Sequence, residues 1–586
     1  MARKIVALVG LALVGVGLLA LGAWWRPERS PTAWTQGNLL PNADWSLPND
    51  DSRSPDGWRI SDGVERATTT TGYVLEGQHS LRLLGENSVA RSPQIKATPG
   101  QRFRLGFQAL VDPGQQSGQN PTRLQVWVHW IDAAGDDVRL DKQLPASIGY
   151  AADGEPTWTA VLFETEPAPA NADAVAISLH PLAADLLFID QLQFNAAGVY
   201  VESWPNGADA AVSFSVDWET AMGGYLHSLS GDPTTVISDA TTSGLNARVG
   251  TTNLLALYRE AGIRGTWFGN GYNFLNGNRE RRTWMSDPTF AWANPDRRWR
   301  TDWSARRWFG DDPYGTVESH PAWYFGDLIA PLVAADQPIE THTFSHMYVG
   351  FSTLAEWQAD LAEWRSVAAE QRVAPAEALA FPFGGSDGMS DAHWRLLADS
   401  GISTVTRTRK PNDLAQTDDQ YLLIDRNRSQ PRLLPGRDVL ALPDVQLLPA
   451  DRAAVLQRLD HTIAAGGMLD IWAHTNEIVQ PAQIAAWREV IAMAAHTSAV
   501  WIAPIPEIAA YWRGIRQVHI ETLDAGSPLR FRITNPSNHD LRGVTLRLPG
   551  TATRVDSALV ITLNQDRLRL DVPANSTEEI TVWLEP

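Results

Sequence analysis

The alternation of apolar strand-like runs with helical stretches between Pro205 and Val518 constrains the fold of this chain more than any other feature. Strand-like runs include AAVSFSVDWE and IRGTWFGNG, and helical stretches include NLLALYREAG, LAEWQADLAEWRSVAAE and AQIAAWREVIAMAA. Strands that alternate with helices are typical of an α/β fold with parallel strands, either barrel-like or doubly wound. The length of the segment favours a distorted (β/α) barrel, which we predict over residues 201–516.

The regions on either side of this segment predict β-structure. Between residues 31 and 200, short runs such as HSLRLLG and RLQVWVHWID alternate apolar and polar residues, and turn-rich stretches separate them. Several short strands at this spacing are typical of a β-sandwich with a jelly-roll fold. Residues 517–586 return to the same pattern, which predicts a small Ig-like β-sandwich. Because a chain of 586 residues is too long for one hydrophobic core, we expect a multidomain protein.

The first 30 residues predict a transmembrane helix. Arg3 and Lys4 precede an apolar run from Ile5 to Trp25, and about 20 apolar residues suffice to cross a bilayer. Positive charge before the run and a tryptophan pair at its end place the N-terminus in the cytoplasm and the rest of the chain outside. We therefore expect a membrane-anchored, extracytoplasmic protein at the cell surface. A cleaved signal peptide is the alternative, and the protein would then be secreted.

The composition excludes several classes of function. The formal net charge is −19, and because phosphate binding needs clustered positive charge, we expect no nucleic-acid partner. The chain contains no cysteine, which excludes disulfide bonds, thiolate metal sites and cysteine nucleophiles.

The sequence ETHTFSH places two histidines, His342 and His346, four residues apart. We expect a strand to end near His342 and a helix to begin there, with Thr343 and Ser345 close to its first turn. Side chains at positions i and i+4 share one helical face, so both imidazoles could bind one ion. The alternative is a histidine pair that only packs, since such pairs also arise by chance.

Three other segments end strand-like runs with polar or turn residues. Asp217 and Glu219 lie two apart in SFSVDWE, so their carboxylates face the same side at the end of a strand, where α/β folds place active sites. His474 ends the run GGMLDIWAH, and Pro382 and Phe383 begin a tight loop that could form a pocket wall. Each segment alone is compatible with a purely structural role.

In this order the segments resemble the polysaccharide deacetylase (NodB-homology) family of carbohydrate esterases, the carbohydrate esterase 4-like proteins. The resemblance spans most of residues 205–510 and also includes LLALYREAGIRGTWFGNG. It implies a distorted barrel of parallel strands and a divalent metal, most often Zn²⁺. It also implies hydrolysis of an N-acetyl group on a sugar of a cell-surface or exported polysaccharide.

The resemblance assigns a role to each candidate residue. His342 and His346 match the metal-binding histidines, Asp217 matches the general base, and His474 matches the general acid. Many members have a second, metal-binding aspartate directly after the base, but here that position is Trp218. Glu219 is the substitute that we predict as third ligand, and the reverse assignment of Asp217 and Glu219 stays open. The predicted walls of the substrate pocket are Pro382, Phe383, Leu469, Ile471 and Trp472.

The chain departs from the family pattern at Ala380, where an arginine usually orients the base. Two alternatives therefore stand beside the deacetylase: a non-catalytic glycan-binding protein on a degenerate barrel, and a hydrolase of a small cyclic amide or imide.

The region 31–200 resembles a jelly-roll carbohydrate-binding module, with a plain β spacer as its alternative. An insertion rich in Arg and Trp, from Arg281 to Trp308, is expected to cover the barrel by packing, with a sugar-binding rim as its alternative.

Overall fold

The computed structural model describes residues 39–40, 45, 57–68, 74, 79–112, 122–148, 158–182, 186–196, 198–228, 239–297, 302–386, 388–408, 431–434, 438–464, 466–497, 500–524 and 526–585. The predicted membrane segment from Ile5 to Trp25 lies outside these residues. Within the described part of the chain, no helix combines the length and apolar character needed to span a bilayer.

The N-terminal region forms two antiparallel sheets that share one core. One sheet has the order β1-β4-β10-β7-β8, with β5 also pairing β10, and the other has the order β2-β3-β11-β6-β9. Alternate residues of β7 and β10, such as Val126 and Ile177, point into the core between the sheets, as the period of two in the sequence requires. The strands are β1 (Arg59–Ile60), β2 (Val64–Thr68), β3 (His79–Leu84), β4 (Ala90–Arg91), β5 (Ile95–Lys96), β6 (Phe103–Val111), β7 (Thr122–Ile131), β8 (Asp137–Ile148), β9 (Thr159–Glu164), β10 (Ala174–Pro181) and β11 (Leu186–Ala196).

The central region is built on a mainly parallel sheet, and this confirms the α/β prediction in its coarse form. Its strands are β13 (Ala210–Trp218), β14 (Thr266–Gly269), β15 (Ile339–Thr341), β16 (Ala378–Ala380), β17 (Thr404–Thr406), β18 (Arg432–Leu433), β19 (Leu440–Ala441), β20 (Asp444–Gln446), β21 (Met468–His474) and β22 (Val500–Ile502). Its longer helices are α1 (Ala240–Ala261), α2 (Gly326–Ala334), α3 (Leu354–Glu370), α4 (Asp391–Asp399), α5 (Arg452–Ala464), α6 (Pro481–His496) and α7 (Ile505–Ile515).

The order of strand pairing is that expected of a (β/α) barrel. β13 to β17 pair in sequence, each parallel to the next, and β21 pairs β13 from the other side. The segment from β19 to β20 joins the two ends, because β19 pairs β17 and β20 pairs β21. Pro443 lies between these two short strands, and its carbonyl accepts a hydrogen bond of 2.9 Å from the amide of Asp470. The carboxyl ends of the parallel strands therefore surround one common space.

The C-terminal region forms two antiparallel sheets, with the orders β23-β24-β29-β26 and β12-β25-β28-β27. The short strand β12 (Tyr200–Val201) precedes the central domain in sequence but pairs β25. The other strands are β23 (His519–Asp524), β24 (Leu529–Asn535), β25 (Leu541–Arg547), β26 (Ala552–Asp556), β27 (Val560–Asn564), β28 (Arg567–Val572) and β29 (Ser576–Leu584).

One hydrophobic core joins this sandwich to the central domain. Ile508 and Trp512 of α7 share a buried cluster with Phe531 of β24 and with Met468 at the start of β21. Gly514 of α7 lies so close to Leu541 that an added Cβ would be 2.6 Å from its Cδ2. The sandwich therefore packs on the central domain as part of its core.

This shared core predicts that a cavity in the C-terminal sandwich destabilises the central domain as well. Phe531→Ala removes a fully buried ring and should lower the free energy of unfolding by about 3–5 kcal/mol. Denaturant unfolding followed by tryptophan fluorescence should show one transition at lower denaturant. Ile561→Ala, at a position 44% exposed on β27, is the control and should change stability little. A central domain that melts unchanged after Phe531→Ala would contradict a common core.

Candidate active site

The two predicted histidines lie in a loop and do not begin a helix. β15 ends at Thr341, and the next helical residues come only at the 3-10 turn Val349–Phe351. Thr343 and His346 both have left-handed backbone conformations, with φ of 62° and 54°. The expectation of one helical face was therefore wrong, although the strand does end where the sequence indicated. The left-handed turns fold the chain back on itself, and this brings the two imidazoles together.

Two buried side chains hold the histidine loop in this shape. The carboxylate of Asp360, on α3, accepts hydrogen bonds from the amides of Phe344 (2.6 Å) and Ser345 (2.9 Å) and from the Ser345 hydroxyl (2.5 Å). The side-chain amide of Asn270, which follows β14, donates to the carbonyl of His342 at 2.7 Å. Backbone groups that a helix would pair internally are thus bound from outside, and the loop conformation follows.

Both imidazoles meet the carboxylate of Glu219. The Nε2 atoms of His342 and His346 lie 3.2 Å and 3.0 Å from Glu219 Oε1, and all three residues are at most 3% exposed. Nδ1 of His342 donates to the carbonyl of Ala380 at 2.8 Å, which leaves Nε2 to face Glu219. Ligand atoms of these residues lie within 4.8 Å of one another, so the group could bind a metal ion.

The protonation states favoured here suit a divalent cation. Burial alone would raise the pKa of Glu219, but the charge of His346 and hydrogen bonds from both histidines hold it well below its ordinary value. Burial lowers the pKa of His346, although Glu219 opposes that shift. A metal ion would take the place of the protons between Nε2 and Glu219, because its ligands are a charged carboxylate and neutral imidazoles. Two nitrogens and one oxygen form a donor set that zinc accepts in catalytic sites, so the residues fit the predicted ion.

A glycine pair makes room for the glutamate. Glu219 follows β13, and the π-helical turn Ala221–Tyr225 comes directly after it. A Cβ on Gly224 would lie 2.0 Å from Glu219 Oε2, and a Cβ on Gly223 would lie 2.8 Å from the side chain of Asn270. In the sequence ETAMGGY, the two glycines therefore stand where the side chains of Glu219 and Asn270 lie against the backbone.

Asp217 lies beside this group but bonds elsewhere. Its Oδ1 accepts a hydrogen bond of 3.1 Å from the guanidinium of Arg407, which also donates to Asp470 Oδ2 at 2.6 Å. Arg407 is 1% exposed and the two aspartates at most 3%. The backbone amide of Arg407 donates to Asp444 at 3.0 Å. One guanidinium therefore lies among three carboxylates inside the barrel.

Arg407 contacts Asp217 although position 380 is an alanine. It directly follows β17, and Thr406 at the end of that strand is the register partner of Ala380 on β16. The guanidinium thus reaches Asp217 from the neighbouring strand. Sequence reasoning missed Arg407, although an arginine directly after the β-branched run TVT was a signal of the same kind as the other strand-end residues. It also missed Asp470, a charge inside the run MLDIW.

His474 ends β21, opposite Asp217 in the parallel register. Its Nδ1 lies 3.2 Å from Oε1 of Glu477, and its backbone amide donates to the same carboxylate at 3.1 Å. Burial opposes the charged form, but Glu477, together with Glu219 and Asp217, raises the pKa of His474 to about 10. The side chain is 30% exposed, so a protonated imidazole faces the accessible side of the site. Glu477 is a further residue that the sequence did not identify.

The predicted pocket walls divide into two groups. Phe383, in the 3-10 turn Pro382–Gly384, packs edge-on against His346 with ring centroids 4.5 Å apart. Trp472 lies on the site side of β21, where the Arg407 guanidinium covers its ring at 4.1 Å. Leu469 and Ile471 point the other way, into the main core of the central domain. The prediction of these two residues as pocket walls was wrong. Their odd spacing from Trp472 and His474 places them on the opposite face of the strand.

The described part of the insertion packs as expected, and residues 298–301, with Trp299, lie outside the described residues. Trp284, Trp292 and Trp308 are buried in the main core, and the indole of Trp308 donates to the carbonyl of Ser345 at 3.3 Å. Arginines of this segment pair with nearby acids, namely Arg282 with Glu370, Arg306 with Asp311 and Arg307 with Asp287. The insertion therefore supports the histidine loop from its outer side.

A scan against protein-family models finds no model that matches this chain, and a search of curated proteins finds no match either. Solved structures do match, and several of them are polysaccharide deacetylases. A Mycobacterium smegmatis protein assigned as a polysaccharide deacetylase is 17% identical over 53% of this chain and 92% of its own, with a TM-score of 0.36. The PuuE allantoinase is 18% identical over the same shares, with a TM-score of 0.34.

Two other matched structures are a pseudoenzyme and a xylan-binding domain. A pseudoenzyme of the CE4 family is 11% identical over 54% of this chain and 77% of its own, with a TM-score of 0.27. The xylan-binding CBM22-1 domain of Paenibacillus barcinonensis Xyn10C is 14% identical over 25% of this chain and 88% of its own, with a TM-score of 0.19. All of these likenesses are distant, so the function is inferred below from the chain's own residues.

The carboxylate cluster predicts a pH-dependent loss of stability when its cation is removed. Arg407→Met leaves the buried carboxylates of Asp217 and Asp470 without their cation and should cost about 3–5 kcal/mol at pH 8. Burial already raises the pKa of Asp470 to about 6 against the pull of Arg407, and losing the guanidinium raises that pKa further. The unfolded chain then binds fewer protons than the folded one, so stability falls as the pH rises and the loss is smaller at pH 5.

Urea unfolding of Arg407→Met at both pH values measures this effect. The control is Arg530→Met, which breaks an exposed pair with Glu579 at 3.4 Å and should cost at most about 1 kcal/mol at either pH. An equal loss for the Arg407 variant at pH 5 and pH 8 would contradict the role of the carboxylates.

Proposed function

We propose that this chain is a metal-dependent hydrolase of the polysaccharide deacetylase type, which removes acetyl groups from N-acetylated sugars of a cell-surface or exported polysaccharide. The observation that carries the proposal is the meeting of Glu219, His342 and His346 beside Asp217 and His474 at the carboxyl ends of the strands. That arrangement combines a ligand set for a divalent cation, whose two nitrogens and one oxygen suit Zn²⁺, with a base and an acid.

In this proposal His342, His346 and Glu219 hold the ion, and Asp217 is the general base. When bound, the divalent cation supplies Lewis acidity, which polarises the amide carbonyl and lowers the pKa of water. Asp217 accepts the proton that the attacking water loses. Arg407 keeps the Asp217 carboxylate in place through a hydrogen bond of 3.1 Å from its guanidinium. Glu219 is turned away from Arg407 and toward the histidines, which supports this division of roles over the reverse one.

His474 is the general acid. With its pKa raised to about 10, it stays protonated at neutral pH and can give its proton to the nitrogen that leaves. Glu477 stabilises the imidazolium and orients it through Nδ1, so Nε2 is the atom that faces the substrate. The products are acetate and a free amine on the sugar. Pro382, Phe383 and Trp472 form the walls nearest the reacting groups and are the proposed substrate-binding residues.

The ligand group favours a hydrolase over the glycan-binding alternative. A glycan-binding protein on a degenerate barrel would need none of the charged groups that converge here, whereas a hydrolase needs all of them. Hydrolysis of a small cyclic amide or imide would use the same groups. The N-terminal sandwich, resembling a carbohydrate-binding module, favours a polymeric substrate. The membrane anchor and the extracytoplasmic location stay predictions of the first 30 residues.

Removing one ligand tests the proposal directly. His346→Ala should abolish both zinc binding, measured by metal analysis after dialysis, and acetate release from N-acetylglucosamine oligomers. His539→Ala, at an exposed position in the C-terminal sandwich, is the matched control and should change neither. Activity that survives without bound metal would overturn the mechanism. Release of acid from succinimide but no acetate from the oligomers would favour the imide hydrolase, and bound metal with neither activity would favour the glycan-binding protein.

The pH dependence of the reaction tests whether His474 is the general acid. In the unaltered protein, activity should persist into the alkaline range and fall as His474 loses its proton near pH 10. Glu477→Gln removes the negative charge that raises this pKa, so the alkaline limb of kcat should move to lower pH. Glu489→Gln, an exposed acid on α6 paired with Arg452, should leave the limb in place. An alkaline limb that does not move in Glu477→Gln would rule out His474 as the acid.

A further inference from the structure

The outward face of one N-terminal sheet presents a row of cations. Residues directly opposite one another in antiparallel strands have their side chains on the same face. Across the six-stranded sheet, the pairings Arg59–Arg91, Arg91–Ser178, Ser178–Trp127 and Trp127–Lys142 form one continuous row. The other face of these strands carries Val126, Val128 and Ile177 into the core, so the row points away from it.

Contacts between neighbouring side chains hold this row in place. The Lys142 ammonium lies 4.0 Å from the centroid of the Trp127 ring, and His180 stacks on the same indole at 3.8 Å. The Trp127 indole donates to Gln125 at 2.9 Å. Arg91 donates to Asp137 at 2.9 Å, and His129 contacts that same carboxylate at 2.8 Å. Trp127 and Asp137 therefore hold Lys142 and Arg91 in their places along the row.

The charge of this face is opposite to that of the whole chain. The net charge is −19, yet Arg59, Arg91 and Lys142 lie in one line, and Lys96 joins the same face through its pairing with Ala174. Arg59, Lys96 and Lys142 are exposed. Five adjacent strands place the ends of the row about 19 Å apart, which is the length of several sugar residues. A linear polymer with regularly spaced negative groups would match both the line and its charge.

We propose that this face binds an anionic polysaccharide, whose acidic groups contact Arg59, Arg91 and Lys142 in turn. The choice of a polysaccharide over other polyanions rests on the proposed function, and the cationic row itself does not. Binding here would hold the acidic polymer on the N-terminal sandwich while the central domain acts on it. The other sheet of the sandwich carries Arg104, which packs on the ring of Tyr200 in β12, so the cationic face belongs to the sheet farther from that contact.

The titration of His180 gives a local signal for an anion on the row. Burial, with the positive charges of His129 and Lys142, lowers the pKa of His180 to about 4. A bound anion would favour the protonated imidazole and raise that pKa. Association of a polymer at a distant part of the chain would leave it unchanged.

Affinity electrophoresis of the full chain with polygalacturonate, which has one carboxylate per sugar, tests the proposal against neutral dextran. We expect retardation by polygalacturonate only, weakening as salt screens the charges. The double variant Arg59→Gln/Lys142→Gln should weaken binding about tenfold. Arg82→Gln is the control, because Arg82 pairs with Glu65 at 3.2 Å on the other sheet. An NMR titration should show the His180 pKa rising with the polymer.

Several results would overturn the proposal. These are equal binding of dextran, an Arg59→Gln/Lys142→Gln variant that binds as well as Arg82→Gln, or a His180 pKa that does not move. Equal retention by single-stranded DNA or by vesicles of anionic lipid would replace the polysaccharide by a general polyanion. The His346→Ala variant should bind polygalacturonate like the unaltered chain. Failure of the cationic face is therefore distinguishable from failure of the deacetylase.

Discussion

The guanidinium of Arg407 lies between the carboxylates of Asp217 and Asp470 inside the barrel, and the arrangement of the site depends on this contact. Without it, the negative charges of Asp217 on β13, Asp444 on β20 and Asp470 on β21 would face each other where burial already disfavours charge. With it, Asp217 is held toward the arginine, and Glu219 is the carboxylate left to meet His342 and His346. One cation thus separates the two acids of the SVDWE segment into different environments.

The same principle recurs around the histidine loop. Its left-handed turns at Thr343 and His346 are possible because Asp360 and Asn270 bind the backbone groups that a helix would have paired. The insertion then covers the loop through Trp308, whose indole reaches the carbonyl of Ser345. A buried polar backbone must find partners somewhere, and here partners from three separate segments determine where the imidazoles point.

The sequence indicated the strand-helix alternation, the flanking β-regions and the strand ends that carry Asp217, His342 and His474, because each depends on local periodicity. It predicted a helix after His342, because spacing of four is typical of a helix and the sequence does not show that Asp360 would capture the amides. It assigned Leu469 and Ile471 to the pocket, although their odd spacing from Trp472 and His474 along β21 places them on the opposite face of the strand. It missed Arg407, because a partner contributed by a neighbouring strand becomes visible only once the register of β16 and β17 is known.

That register also changes the meaning of Ala380. Position 380 on β16 is an alanine, and the guanidinium that reaches Asp217 comes from Arg407, directly after the neighbouring strand β17. A buried cluster of this kind is not a good way to stabilise a barrel, since well-packed hydrophobic residues of similar volume are often at least as stable. A protein that only needed the fold would be better served by such residues at Asp217, Arg407 and Asp470. The proposed roles give the cluster a reason: Arg407 holds the Asp217 carboxylate apart from Glu219, so that one acid can serve as general base and the other can ligate a metal.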